Sequence, residues 1–331
     1  MLAPRQLPAV PDRLLNRILV GLLLVLVIGG PAFAAFYWFD RHPAAGPTLA
    51  DRQIAAAEAA VRAQPNDLAA RNTLAAAYVS AGRYDDGIAQ FGEVLKSEPA
   101  NRAALLGRGL AELQVDRLDP ARADFQKLVD AAATGEMAAT DPQLEQAYYE
   151  LGAIALRQNR AAAAVPLLES ALKIDGADAD ALFTYGSALI ATGDAAEGLT
   201  ALRQAVAFVP TGWCDPYARM VDGYTALGQR DGVTYAGAMV ALCQGRPAEA
   251  SGKLHSLEAG PFAVDAWLGL ALVSAAQADP AAATAYYEKV LAKDPKNPSA
   301  LIGLSQLGGP AAHAGLQSAA PAASAAAGGS N

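Results

Sequence analysis

The sequence predicts an all-α protein, a solenoid of helical hairpins preceded by a single N-terminal transmembrane helix. Three observations carry this. Residues Ile18 to Trp38 contain no charged side chain. Prolines, glycines and large residues recur at a spacing of 34 along the chain. Aromatic residues make up only 7% of a sequence that is 53% hydrophobic and full of alanine. Alanine joins the highest helix propensity to the smallest side chain that still packs, so such a chain builds its core by bringing helices close together. The formal net charge of -8 argues against nucleic acid as a partner, because that binding needs Lys and Arg to neutralise phosphates.

Residues 1-17, the N-terminal segment, carry Arg5, Arg13 and Arg17 against one acidic residue, Asp12. The 21 residues from Ile18 to Trp38 would reach about 31 Å as a helix, the thickness of a bilayer's hydrocarbon core. Phe36, Tyr37, Trp38 and Phe39 form an aromatic belt at the far end, so residues 18-39 read as a signal anchor whose lipid partner is the bilayer. Arginines precede the span and only Asp40 and Arg41 follow it at once. The positive-inside rule then puts residues 1-17 in the cytoplasm and the repeat domain outside, periplasmic or extracellular, on a single-pass protein of the cell membrane. A cleaved signal peptide is the alternative. Ile18 to Ile28 has the length of its apolar segment and Pro31 to Ala34 resembles a small-residue cleavage site, which would release a secreted protein near Ala34.

Residues 40-51 (DRHPAAGPTLAD) read as a linker, and residues 308-331 as a disordered low-complexity tail with too few large apolar groups to offset ordering entropy. Between them lies the repeat domain, 52-307. Phe91 and Phe125, Gly152 and Gly186, and Leu168 and Leu202 are each 34 apart, while Pro99, Pro210 and Pro295 each lie eight residues beyond Phe91, Leu202 and Tyr287. Periods of this length mark stacked supersecondary units. Turn signals at AGRYDD (81-86), ATGDAA (191-196) and CQGRPAE (243-249) punctuate the helices. Repeats are therefore expected at 68-101, 102-135, 145-178, 179-212 and 264-297, with a lone helix at 52-64 and a closing one at 298-307. Residues 214-262 hold three helices instead of pairs, and TGEMAATDPQ (134-143) interrupts the array. Asp119 and Asp279, each followed by proline, are expected N-caps, and DGADAD (175-180) an N-capping turn.

One repeat carries Leu74, Ala75, Tyr78, Gly82, Phe91 and Pro99; another Tyr148, Leu151, Gly152, Ala164 and Leu168. A third carries Leu182, Tyr185, Gly186, Gly193, Gly198, Leu202 and Pro210, and the last Trp267, Ala283, Tyr287 and Pro295. These residues resemble the tetratricopeptide (TPR) repeat. In that family the first helices of successive repeats line a concave groove that binds segments of partner proteins. Carried over by register, the lining here would be Asn72, Val79, Leu106, Leu110, Gln146, Tyr149, Arg157, Phe183, Ser187, Arg219 and Asp222. The lysine and asparagine pattern that grips a partner's terminal carboxylate in chaperone-binding members is not evident, since Asn72 is followed one turn later by Ala76. Tyr149 and Phe183 among few charges suit an amphipathic or extended apolar segment; packing between repeats accounts for the same aromatics equally well.

Nothing in the sequence points to an enzyme, a cofactor or a metal. His42 lies in the linker, His313 in the tail and His255 alone on a helix; phosphate-loop, HExxH, CxxC and CxxCH motifs are missing, and DGADAD lacks calcium-loop spacing. Cys214 opens one helix and Cys243 closes the next, with a turn near Gly228 between them, so antiparallel packing should bring them together. In an oxidising compartment they would form a disulfide worth about 3 to 4 kcal/mol; the alternative is two buried thiols.

The resulting functional expectation is a membrane-tethered interaction scaffold or assembly factor that captures a protein or peptide segment in its groove. A structural subunit of a larger membrane or envelope complex, using the convex surface, is the alternative. Similarity to anchored TPR components adds a third option, holding apocytochrome during cytochrome c maturation.

Overall fold

Short polar side chains set the helix starts. Asp67, Asn101, Asp141, Asp178, Asp279 and Asn297 each accept a hydrogen bond from a backbone N–H in the following turn, satisfying donors that a helix end leaves open. The computed structural model describes Phe33, Tyr37, Trp38 and residues 48-207 and 212-308. Among the described residues there are 15 α-helices and no strand. They are α1 (Leu49–Ala63), α2 (Leu68–Ser80), α3 (Tyr84–Ser97), α4 (Arg102–Gln114), α5 (Leu118–Ala132), α6 (Pro142–Arg157), α7 (Ala161–Ile174) and α8 (Ala179–Thr192). Then come α9 (Ala195–Ala205), α10 (Asp215–Ala226), α11 (Arg230–Cys243), α12 (Pro247–His255), α13 (Ala263–Ala276), α14 (Pro280–Lys293) and α15 (Pro298–Gln306).

Two expectations need correction. Asp119 does not cap α5: the helix starts before it, Arg117 holds the N-cap position without a side-chain bond, and Asp119 sits in the first turn, where its charge complements the helix dipole. The linker is shorter than 40-51, because Thr48 and Asp51 close a capping box that starts α1 at Leu49. The 134-143 insertion holds a single 3-10 turn at Ala138–Thr140, and Asp141 then caps α6 with Pro142 at its start. The expected transmembrane segment 18-39, residues 1-17 and the tail from 309 lie outside the described residues, apart from Phe33, Tyr37 and Trp38, whose side chains are exposed. No helix among the described residues is long and apolar enough to cross a membrane.

The chain divides into two compact units, Met1–Arg83 and Tyr84–Asn331, so the two helices of the expected 68-101 repeat belong to different units. In the first, α1 and α2 pack through Ile54, Ala57, Leu74 and Tyr78. The Tyr78 hydroxyl donates to Glu58 at 2.9 Å, and the Arg83 guanidinium lies 4.3 Å from its ring centre.

In the second unit α4–α5, α6–α7, α8–α9 and α13–α14 pack as hairpins. The 34-residue landmarks explain how. A Cβ added at Gly152 would stand 2.6 Å from Leu168, and one at Gly186 would stand 2.9 Å from Leu202 and 2.7 Å from the Gly198 carbonyl oxygen. The glycine admits the leucine of its hairpin partner, and the two leucines, both fully buried, fill the core at equivalent places in successive repeats.

First helices also meet one another. Helix α4 touches α6, α6 touches α8 and α8 touches α10, which makes one continuous wall. Past α10 the alternation shifts by one, and α11 touches α13. Three helices, α10 to α12, stand between the two sets of hairpins. A hairpin array alternates two layers, so an odd number of helices puts the next hairpin in the opposite phase.

Candidate partner-binding groove

Leu106 and Leu110 on α4, Gln146, Tyr149 and Arg157 on α6, Phe183 and Ser187 on α8, and Arg219 and Asp222 on α10 all stand on the helices of this wall. Asn72 and Val79 stand on α2 in the first unit, both half-buried. Their individual roles differ. Phe183 packs edge-on against Trp213 with ring centres 5.3 Å apart, beside Leu182, Ala201 and Ala205. Tyr149 lies against the cluster of Ala155, Ala164, Leu168 and Ala188. Both aromatics therefore hold neighbouring repeats together. Ser187 faces inward, 5% exposed, and its hydroxyl donates to the Phe183 carbonyl at 2.8 Å, the usual fate of a helical serine beside buried neighbours. Arg157 pairs with Asp116, in the turn after α4, at 2.6 Å. Half-buried Leu106, Leu110 and Gln146, with the exposed Arg219–Asp222 pair at 3.0 Å, are left as the accessible lining.

Acidic groups that the sequence reading passed over shape the electrostatics. Arg108 grips Asp124 with two bonds, from Nε at 2.6 Å and from Nη2 at 2.7 Å, and Asp124 is 2% exposed. One turn beyond Arg108, Glu112 is 7% exposed and its Oε2 has no hydrogen-bond partner among the described residues. Burial, reinforced by the negative Asp124, pushes its carboxyl up to about 7. The signal for Glu112 was legible: Leu105, Gly109 and Glu112 share one helical face, and the first two are buried. On α6, burial raises Glu145 and Glu150 to about 7 as well, with Asp178 and Asp175 adding to the effect on Glu145. Burial also raises the Tyr149 phenol, helped by the negative Glu150 and Asp180. The stretch where α6 meets α8 thus carries a concentration of negative charge that periodicity alone could not locate.

His255, at the end of α12, has Nδ1 2.7 Å from Glu258 on the protein surface. The cysteines are where the hairpin puts them. Cys214 stands just before α10 without a side-chain capping bond, Cys243 ends α11, and Gly228 takes a positive φ of 67° in the turn between. Their thiols lie within hydrogen-bonding reach of each other without an S–S bond between them, which is the proximity that the expected disulfide requires. Burial, with a hydrogen bond to Cys214, pushes the Cys243 thiol up to about 12.

Paired antiparallel helices, glycine-admitted leucines and a wall of successive first helices define a helical-repeat interaction fold. The chain belongs to the tetratricopeptide-repeat family: models of that repeat match residues 72-136, 155-221 and 264-307, together more than half of it. Among solved structures it is similar to YrrB, described as a TPR protein with an unusual peptide-binding site. The two share 19% identity over 61% of this chain and 97% of that one, with a TM-score of 0.50. It is also similar to MamA, at 22% identity over 52% of this chain and 95% of that one, TM-score 0.45. A tetratricopeptide repeat protein from Parabacteroides merdae aligns over 83% of this chain and 96% of its own at 13% identity, TM-score 0.45. No curated protein matches the chain in sequence.

Proposed function

We propose that the protein is a membrane-tethered scaffold that captures a segment of a partner protein along α4, α6, α8 and α10. The observation that carries this is the unbroken contact of these four helices, which forms a surface long enough to hold an extended or helical segment. Leu106 and Leu110 offer apolar contact, and the acidic groups around Tyr149 favour a segment that also carries basic side chains. The peptide-binding description of YrrB supports the class of partner. The tether is residues 18-39, whose charge-free length and aromatic end suit a bilayer, with the repeats on the extracytoplasmic side. Tethering raises the effective concentration of the repeats near membrane partners without any new contact.

Photocrosslinkers placed at Gln146, at Arg219 and, as a control, at exposed Thr200 on α9, in native membranes, test the capture. One partner segment joined at Gln146 and Arg219 but not at Thr200 is the expected result. Crosslinks confined to Thr200 would replace this reading with that of a structural subunit. N-terminal sequencing of the mature protein tests the tether, which a start near residue 35 would rule out.

A further inference from the structure

In the hairpins α4–α5, α6–α7 and α8–α9 a glycine on the first helix meets a large residue on the second: Gly109 and Phe125, Gly152 and Leu168, Gly186 and Leu202. The residue before each glycine is Arg108, Leu151 or Tyr185, and the residue before each large partner is Asp124, Leu167 or Ala201. Only the first of these hairpins puts an ion pair there. Asp124 takes Nε and Nη2 of Arg108, which fixes the guanidinium plane and leaves Nη1 over. Arg108 lines a cleft of about 290 Å³ on the opposite face of α4 from Leu106 and Leu110. Lys96 on α3 and Lys127 on α5 line it as well, together with Gly92, Leu95 and Leu105. A Cβ at Gly92 would stand 3.8 Å from Nη1, so the leftover nitrogen lies on the cleft side, beside bare backbone.

Every charged residue that lines the cleft is a cation. Asp124 offsets Arg108, which then contributes a directed N–H and little net charge. Lys127 has no ion-pair or hydrogen-bond partner among the described residues. Lys96 pairs with Glu93, one turn earlier on α3, at 2.6 Å, but both are exposed, and such a pair holds weakly in water. Two ammonium charges and one guanidinium nitrogen therefore border the cleft from three helices, with no carboxylate in its lining.

We propose that this cleft binds a phosphate group, soluble or in a lipid headgroup, through Arg108, Lys96 and Lys127. A carboxylate is recognised best by the two-pronged edge of a guanidinium, and Asp124 already occupies that edge. What remains are three point donors, which suit an anion with oxygens on several sides; lysine meets phosphate in this way. The two lysine charges match the charge of a phosphate monoester at pH 7, about -1.5 to -2. The volume is about ten times the share of one liquid water, room for the group and part of its ester or hydration shell. Because the cleft turns away from Leu106 and Leu110, it owes nothing to the groove reading.

Isothermal titration of the full chain in detergent with inorganic phosphate, glycerol 3-phosphate and acetate tests the proposal. Both phosphates should bind, and acetate at least about tenfold more weakly. Lys127→Gln, at an exposed position, should weaken phosphate about tenfold and leave the melting temperature unchanged, whereas Lys173→Gln, exposed on α7, should leave phosphate binding as it was. Repeating the phosphate titration on the chain in phosphatidylcholine bilayers that carry phosphatidate, or oleate for equal surface charge, separates the two sources. Weaker phosphate binding with phosphatidate than with oleate assigns a lipid headgroup, and equal binding assigns a soluble phosphate. No heat from inorganic phosphate, acetate binding as tight as phosphate, or full phosphate affinity in Lys127→Gln would overturn the proposal. Equal weakening by Lys173→Gln would overturn it too, since the attraction would then belong to the whole surface.

Discussion

The hairpins from α4 to α9 and the helices from α10 to α15 are made of the same alanine-rich material yet are held together differently. Upstream, contacts stay within a hairpin or reach only the next one: Leu168 meets Gly152 and Leu202 meets Gly186 across one hairpin, Arg108 meets Asp124 on the neighbouring helix, and Arg157 reaches Asp116 in the adjoining repeat. Downstream, Arg203 reaches Asp265 and Ser299 reaches Ala207, partners 62 and 92 residues apart. Buried tyrosines 217, 224 and 235 take the place of small residues and leucines in that core. A repeat array is the sum of its units and their nearest-neighbour contacts; three helices out of phase replace that sum with a tertiary cluster. The upstream part should therefore respond to substitution hairpin by hairpin, and the downstream part as a block.

The largest effect is expected upstream, at Asp124→Ala. It strands the Arg108 guanidinium without its two bonds, at a cost of about 3 to 5 kcal/mol in urea unfolding. Hydrogen exchange should show the loss confined to α4, α5 and the helices touching them. Equal loss of protection across α13 to α15 would show that the two regions do not differ as described.

The cysteine pair probes the downstream block. Oxidation would cross-link the two ends of the α10–α11 hairpin and stabilise the block by about 3 kcal/mol through the shortened unfolded chain. If the repeats lie in an oxidising compartment, as proposed, a thiol titration of the denatured, unreduced native protein should find no free thiol. Two free thiols would mean that the pair stays reduced, in keeping with a Cys243 thiol that is protonated at neutral pH and slow to attack.

The difference between the regions also sets what could be read in advance. Phe91, Gly152, Gly186, Leu168 and Leu202 mark hairpins because local packing demands a glycine opposite a large residue, and every repeat makes the same demand. The three helices of 214-262 were legible from turn signals, but the phase shift they cause was not, since it depends on which layer each helix joins. The residues of the expected groove stand on helices that touch one another, but several of their side chains pack inward. Ser187 and Phe183 face repeat neighbours because a half-buried helix face belongs as much to packing as to the groove. Glu112 sat on an apolar face in plain view, whereas Arg203 and Asp265 have no local pattern that pairs them.

Glu112 gives the next effect in size. In the folded protein its carboxyl holds a proton up to about 7, against 4.5 in the unfolded chain, so between these values the native state binds more protons. Stability from this residue is therefore present at low pH, falls as pH rises from about 4.5 to about 7 and is level above. Glu112→Gln keeps the shape and removes the titration. It should add about 2 kcal/mol at pH 8 and close to nothing at pH 4.5. Equal effects at both pH values would show that Glu112 stays charged at ordinary cost, and that the upstream core tolerates it through the partly exposed Arg108.

The smallest effect returns to the contrast between the regions. Ser299→Ala deletes one neutral hydrogen bond, worth about 1 kcal/mol, and leaves the Ala207 carbonyl to find another donor. In a simple repeat array the loss would fray α15 alone, as the last helix among the described residues. Here the bond ties the start of α15 to the end of α9, and Arg203, one turn before Ala207, ties α9 to α13. Amide exchange should therefore speed up about fivefold in α15 and also, to a lesser degree, in α13. Faster exchange in α15 with α13 unchanged would mean that the downstream helices are stacked units after all and that the phase shift alters their layer without joining them into one block.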